Sequence, residues 1–544
     1  MTDIVKHVDT PLNEIDELYD RLSATFASHK THALAFRLYN LKQLAYMLQD
    51  NVPAFQAALA ADLQKKPFDV ELTEVWPAIG DIDLAIKRLP EWMADESKSK
   101  DATGSFKLAR PRVVKQPKGV SLIIGAWNFP VLLVVCPLIA AISAGCPAII
   151  KGSEHSPASS ALLAQLIPKY LDPDAYGFVM GGPEQATALL QKRWGHILYT
   201  GSGQVGKIVA TAAAQTLTST TLELGGKSPV IVSADADITI TARRMLSMKQ
   251  LNAGQVCVAP DYVLCAKERV DELVKAMKDT LDEFYPPNSD RSLIGDSFDF
   301  ASGIRNSRDY ERLVKVIEAV DEEGKLVYRG ETDPSRLRMG INLVRLNHNG
   351  DGETTTLVTE ETFGPIIPII PVDDVDAAIR YVNARPTPLA LYVCSSSRKV
   401  FLDVINKTIS GSAIWNDFSM TPLATTLPFG GVGESGWGSY HGFYGFLAFS
   451  HQKAVIEMPL WLEMAQKARY APNFNKKMVR RFLGANVKFP RPISVEHEQR
   501  SLDRSRARRH LYIGVLLVAI GAWLGFGGRK ITSIFAALRA KIGV

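Results

Sequence analysis

The chain has 544 residues, long enough for two or three packed domains around a large core. Apolar residues make up 46% and charged residues 22%, a globular composition that excludes a disordered or low-complexity chain. The formal net charge of +5 is not spread evenly: the excess sits in one stretch near the C-terminus, and the rest of the chain is near neutral.

Residues 12–96 read as helical, because Leu34, Leu38, Leu41, Leu44 and Leu48 recur at helical spacing with charges between them. Residues 107–118 alternate polar and apolar side chains, as a strand or hairpin arm does. The apolar stretch 120–150 has the length of a membrane span, but Asn128, Pro130, Pro137, Gly145 and Pro147 interrupt it. It reads better as two buried parallel strands, 120–124 and 148–150, with a helix between them. Strand–helix units follow at 177–180, 197–199 and 229–232, and this alternation implies a doubly wound α/β sheet.

Residues 472–509 form a basic, proline-containing, weakly periodic linker. Its cations have few aromatic neighbours, so an anionic membrane surface fits them better than nucleic acid. Residues 511–528 then run without a charge between Arg508-Arg509-His510 and Arg529-Lys530. A transmembrane helix needs about 17–25 apolar residues; this run is at the short end and holds five glycines. A membrane anchor is the expectation, and a buried or interfacial helix is the alternative. The N-terminus is polar, without the apolar core of a signal peptide. The five cysteines are scattered with no Cys-x-x-Cys pair, which argues against zinc and fits a reducing compartment.

Four segments carry chemistry. Gly201-Ser202-Gly203-Gln204-Val205-Gly206 is a formal G-x-G-x-x-G between a strand and a helix, where backbone N–H groups can hold a pyrophosphate. The usual rule would then give Glu223 to an adenosine ribose. Cys257, in Asn252-Ala253-Gly254-Gln255-Val256-Cys257, follows a glycine and polar residues, suiting a loop or helix start where backbone dipoles favour a thiolate. Cys136, Cys146 and Cys394 sit in apolar surroundings and read as core. Glu223 lies between Leu222 and Leu224, so partial burial should raise its pKa, as suits a base. Asn128, in Trp127-Asn128-Phe129-Pro130, either caps a turn or offers an amide N–H to a developing oxyanion.

The contexts of Cys257, Glu223 and Asn128, in this order and spacing, resemble the aldehyde dehydrogenase superfamily over residues 12–472. The late glycine-rich run from Pro428 to Gly436 is similar to a family motif as well. Ala259-Pro260-Asp261-Tyr262 and Ala468-Arg469-Tyr470-Ala471-Pro472 resemble the class 3 branch, whose dimeric fatty aldehyde dehydrogenases add a C-terminal anchor. The resemblance implies that Cys257 is the nucleophile, Glu223 the general base facing it, and Asn128 the oxyanion donor. It implies that Lys151 and Glu154 read the ribose, with Gly152 where relatives carry Pro. The turn Gly201, Ser202 and Gly206 binds the dinucleotide, usually with a non-glycine residue where Gly203 stands. In Glu361-Thr362-Phe363-Gly364-Pro365, Glu361 holds the nicotinamide ribose and Phe363 packs on the nicotinamide. Ala253 stands where relatives often have a second Cys.

The implied architecture is a Rossmann-like cofactor domain over residues 1–224, with a β arm near 105–118, and an α/β catalytic domain over 225–425. A return segment and oligomerisation arm over 426–472, a basic linker or gating helix over 473–510 and the anchor at 511–528 complete it. The implied reaction is oxidation of a long apolar aldehyde to an acid with NAD, or NADP, through a cysteine thioester; Glu154 would repel a 2′-phosphate. Fatty aldehydes are the first expectation and apocarotenals the second, because fungal anchored relatives include beta-apo-4′-carotenal dehydrogenases. A homodimer anchored in a membrane with its catalytic domain in the cytosol is expected, with no metal and no nucleic-acid partner. A catalytically silent nucleotide-binding scaffold and a cofactor-free thioester or ester hydrolase are the competing readings.

Overall fold

The structure is a computed structural model that describes residues 8–102, 104–286, 292, 294–295, 299–350, 355–418, 424–463, 467, 470–472, 474–482 and 494–525. The chain divides into two compact units, Met1–Ser97 with Arg112–Val455, and Lys98–Pro111 with Ile456–Val544.

The larger unit is built on two mostly parallel sheets. The first has six strands in the order Gly436–Trp437, Ser219–Leu224, His196–Gly201, Ser121–Ile124, Ala148–Lys151 and Tyr176–Val179. All neighbours are parallel except Gly436–Trp437, which runs antiparallel to Ser219–Leu224. Strand order reverses between Ser121–Ile124 and His196–Gly201, and an open α/β sheet binds ligands beyond the carboxyl ends of its strands at such a point. The second sheet has seven strands in the order Leu326–Tyr328, Asn342–Arg345, Ile366–Val372, Tyr262–Ala266, Pro229–Val232, Ala390–Cys394 and Ser412–Trp415. Pro229–Val232 is the first strand of this second sheet in chain order, past the boundary expected after residue 224. The four residues after Leu224 are the link between the sheets, and Gly225-Gly226 gives that link its freedom.

The apolar stretch after residue 120 is core and not a membrane span. Ser121–Ile124 and Ala148–Lys151 are buried throughout, and every residue of the intervening helix Leu132–Ala144 is buried. Gly145 ends that helix at φ 84, a left-handed cap where a Cβ would lie 2.7 Å from the Arg37 guanidinium. The N-terminal region is helical as its periodicity predicts, with Leu41, Leu44 and Leu48 fully buried on one face of Leu34–Asp50.

The predicted arm is shorter than expected. Only Arg112–Pro117 is a strand; Gly104–Ala109 is a 3₁₀ turn. Arg110 at φ 45 followed by Pro111 breaks the alternation that residues 107–118 display. Arg112–Pro117 pairs antiparallel with Ser450–Val455 in a three-stranded sheet completed by Glu96–Ser97.

In the smaller unit, Lys476–Phe482 and Val495–Gly525 are helices. The second carries the start of the uncharged C-terminal run, and residues 526–528 of that run lie outside the described residues. Among the described residues no helix is long and apolar enough to cross a membrane.

Candidate active site

One cavity of about 660 Å³ opens at the switch point of the first sheet. Asn128, Lys151, Glu154, Gly201, Ser202, Glu223, Cys257, Glu361 and Phe363 all line it. Gly206 alone among the predicted site residues does not. It stands behind the wall, where a Cβ would come within 2.6 Å of Leu224.

The dinucleotide side is laid out along the first sheet. Ser202 caps the helix Gly203–Gln215, its Oγ accepting the Val205 N–H at 3.4 Å, and the start of this helix stands at the cavity, where the helix dipole favours an anion. A Cβ at Gly203 would meet nothing within 4 Å, so the middle glycine of the apparent fingerprint is not sterically required. At the end of Ala148–Lys151, the buried Lys151 ammonium pairs with Glu154 at 2.8 Å. Glu223 lies on the strand next to the one that leads into this turn, paired with Thr200, and lines the same cavity. Sequence reasoning missed an apolar slot between the helices Pro183–Leu190 and Gly203–Gln215, lined by Pro183, Ala186, Leu190, Val205 and Ile208. The exposed Ile208, 58% accessible on a helix next to a phosphate-type turn, was the available signal. Capped amides, an ion-paired lysine and an apolar slot together suit a pyrophosphate, a ribose and a planar base, so these residues fit a dinucleotide.

The reacting side is built where the two sheets meet. Glu223 is 2% exposed, and neither of its carboxylate oxygens has a partner. Burial alone pushes its pKa well above the usual carboxylate range, a deeper burial than its neighbours in sequence suggested. The Glu361 carboxylate packs against Gly225 and accepts the Gly226 N–H. Burial first, and Asp261 second, push Glu361 up to about 8. Lys227 ties this corner together, pairing with Asp261 at 3.0 Å and donating to the Glu360 carbonyl at 2.8 Å. Asp261 in turn accepts the Thr362 N–H. The Phe363 ring stands edge-on to Trp127 at 5.5 Å, and Arg305 covers the Trp127 ring at 4.7 Å.

Cys257 sits in a loop, one of the two settings expected for it, after a turn in which Asn252, Ala253 and Gly254 take left-handed φ values of 48°, 53° and 74°; the expected thiolate is what the structure corrects. Burial, then the nearby Glu361 and Glu223 carboxylates, push its pKa up to about 12, against the pull of the Cys257 and Val258 N–H groups. The resting sulfur is a thiol and not a thiolate. Gly254 is needed in its place, because a Cβ there would lie 2.6 Å from the Gly364 carbonyl.

Asn128 is 4% exposed, and its Nδ2 donates to the Gln255 carbonyl at 3.1 Å. The loop that carries it is anchored by a buried ion pair that no sequence pattern marked. Lys65 and Glu74, both with 0% exposed side chains, meet at 2.7 Å. The free oxygen of Glu74 accepts the N–H groups of Val131 at 3.1 Å and Leu132 at 2.9 Å, and Lys65 lies 4.1 Å above the Phe129 ring. A π-helical turn, Glu71–Val75, aims Glu74 inward.

A partly buried thiol, a buried carboxyl with no partner among the described residues and a fixed carboxamide around one cavity, beside a dinucleotide cleft, are the parts needed to oxidise a carbonyl through a covalent intermediate. The comparisons agree. A profile described as the aldehyde dehydrogenase family matches residues 4–455. Aldehyde dehydrogenase family 3 member A2 of Pongo abelii is 42% identical over 463 residues, 84% of this chain and 91% of that protein. The dimeric NADP-preferring aldehyde dehydrogenase of Mus musculus is 39% identical, over 85% of this chain and 98% of its own. The substrate-bound structure of Staphylococcus aureus AldH superposes with a TM-score of 0.77 at 35% identity, covering 82% of this chain and 94% of its own. The chain belongs to the aldehyde dehydrogenase family and is an NAD(P)-dependent aldehyde dehydrogenase.

Proposed function

We propose that the enzyme oxidises long-chain apolar aldehydes, fatty aldehydes first among them, at a membrane surface. The observation that carries this reading is the uncharged run 511–528 behind a basic linker. Within it Leu511, Tyr512, Ile513 and Leu516 stand exposed on the helix Val495–Gly525. Exposed apolar side chains in a row invite a lipid partner. A membrane-bound enzyme meets substrates that partition into lipid, and each buried CH₂ favours the apolar phase by about 0.8 kcal/mol. The reading places the catalytic unit on the cytosolic face of an organelle membrane. The exposed outer strand Ser450–Val455 and the word "dimeric" in a relative's name support a homodimer.

In this reading Cys257 attacks the aldehyde carbon. Burial first, and the neighbouring carboxyl groups second, keep the sulfur protonated at rest, so its proton leaves to water as the C–S bond forms. The Asn128 amide and the Cys257 N–H receive the oxyanion. When bound, the dinucleotide supplies the acceptor for the hydride that leaves the thiohemiacetal and turns it into a thioester. Glu223, a stronger base once ionised because burial raises its pKa, takes the proton of the attacking water; the C–S bond breaks, the sulfur regains a proton and the acid leaves. Lys151 and Glu154 bind the adenosine ribose, the Gly201–Ser202 turn the pyrophosphate, Glu361 the nicotinamide ribose and Phe363 the ring, with Gly206 keeping the helix close to its strand.

The test is to incubate purified protein and NAD⁺ with hexadecanal and, in parallel, with an apocarotenal. NADH from hexadecanal with wild type, and none with Cys257→Ser, supports the proposal. A clear preference for the apocarotenal would reassign the substrate, and cofactor-independent hydrolysis would displace the oxidative reading.

A further inference from the structure

The proposed oxyanion donor and nucleophile sit on different loops, more than 120 residues apart in sequence, joined by hydrogen bonds from Asn128 to the Gln255 carbonyl and from Asn252 to the Asn128 carbonyl. Asn252 is fully buried and lies in the left-handed region, at φ 48 and ψ 35, five residues before Cys257. Its Nδ2 donates twice: to the main-chain carbonyl of Asn128 at 2.9 Å and to the main-chain carbonyl of Gln255 at 3.2 Å. The Gln255 carbonyl is also where the Asn128 side chain rests, at 3.1 Å. A carbonyl oxygen has two lone pairs, so these two amides use its full capacity. The Asn128 amide has two N–H bonds; one is spent on Gln255 and the other is left for the cavity.

We infer that Asn252 is a positioning residue for the oxyanion hole, clamping the Asn128 loop to the Cys257 loop so that the second amide hydrogen points where the oxyanion forms. The inference rests on the proposed role of Asn128. Two features set the position apart from ordinary loop packing. The Asn252 Oδ1 is buried without a partner, so the residue is kept at a cost that its NH₂ group must offset. The left-handed turn that puts the NH₂ between the two carbonyls continues through Ala253 and Gly254, and asparagine tolerates it as few side chains do. Gln255 braces the other side, its side chain donating to the Asn252 and Gly303 carbonyls at 3.0 Å each.

The test is a double-mutant cycle on the full chain. Asn252→Gly keeps the left-handed backbone and deletes only the clamp, while Asn252→Ser retains a single donor. Aldehyde turnover, the single-turnover NADH burst and NAD⁺ affinity are measured for each, alone and combined with Asn128→Ala. Asn128→Ala by itself should slow turnover by about a hundred- to a thousand-fold, the usual loss for one oxyanion donor. Asn252→Gly should slow it by roughly ten- to a hundred-fold, with NAD⁺ affinity within about twofold of wild type, and Asn252→Ser should fall between. In the Asn128→Ala background the same substitution should cost less than about threefold, because the group it positions is gone. If Asn128→Ala has no effect, the oxyanion assignment fails. If Asn128→Ala is slow but the Asn252 loss persists undiminished beside it, the clamp fails while that assignment stands. Failure of both Asn252 variants to fold would likewise overturn the positioning role and leave a folding residue.

Discussion

Replacing Glu74 by alanine tests whether the oxyanion loop is held by the buried ion pair beneath it. The substitution leaves the Lys65 ammonium without its partner at a site where both side chains are fully buried, and strips the acceptor from two main-chain N–H groups. Two charge-assisted hydrogen bonds at about 1.5–3 kcal/mol each give about 3–6 kcal/mol. Breaking a buried ion pair by removing one partner costs about 3–5 kcal/mol in measured cases. Both routes converge on about 4 kcal/mol. Urea unfolding followed by fluorescence reads that loss as a lower midpoint of the first transition. The double variant Lys65→Met, Glu74→Gln, which leaves neither charge, should recover most of it, to within about 2 kcal/mol of wild type. Turnover of Glu74→Ala should fall further than its aldehyde KM rises, since the displaced group, Asn128, is the proposed oxyanion donor. A Glu74→Ala protein within about 1 kcal/mol of wild type would refute the reasoning, because the pair would then be a passive feature of the core.

The Cys257 thiol gives a pH prediction with a definite sign. With its pKa pushed up to about 12, free-enzyme alkylation by iodoacetamide should climb about tenfold per pH unit and keep climbing past pH 10. An ordinary cysteine titrates near 8.5 and would level off above about pH 9; a plateau there would contradict the burial argument. The glycines of the turn give a contrast: Gly203→Ala should bind NAD⁺ within about twofold of wild type, because its Cβ meets no atom within 4 Å. Gly206→Ala should lower the thermal midpoint and weaken NAD⁺ binding, since it drives a methyl group to 2.6 Å from Leu224. Equal behaviour of the two variants in a thermal-shift titration would count against this account of the turn.

Short motifs whose chemistry needs particular residue types were legible in the sequence. Cys257, Glu223 and Asn128 could be singled out from their neighbours, Lys151 and Glu361 only through the family resemblance, and the fold brings all five to one cavity. The strand–helix alternation alone does not part the two sheets, because Pro229–Val232 looks like any buried strand; the boundary after residue 224 came from the family resemblance, and the change of sheet falls there. The ionisation of Cys257 was misread because a loop or helix start suggests favourable backbone dipoles, whereas desolvation first, and two carboxyl groups from distant segments second, raise its pKa, and neither shows in the residues around it. Lys65, Glu74 and Asn252 were invisible for a different reason. Each is an unremarked polar residue until tertiary contacts bury it, and those contacts join positions 57 to 124 residues apart. Gly203 shows the reverse error, a residue that completes a written pattern while the packing around it makes no demand.

The central claim is that Cys257 carries the substrate as a thioester which Glu223 then releases. Glu223→Gln, mixed rapidly with NAD⁺ and hexadecanal and quenched for mass spectrometry, measures this most directly. The account predicts one burst equivalent of NADH per subunit, almost no steady turnover, and an acyl mass on the peptide containing Cys257. Full steady turnover in that variant, or acyl mass on any other residue, would contradict it.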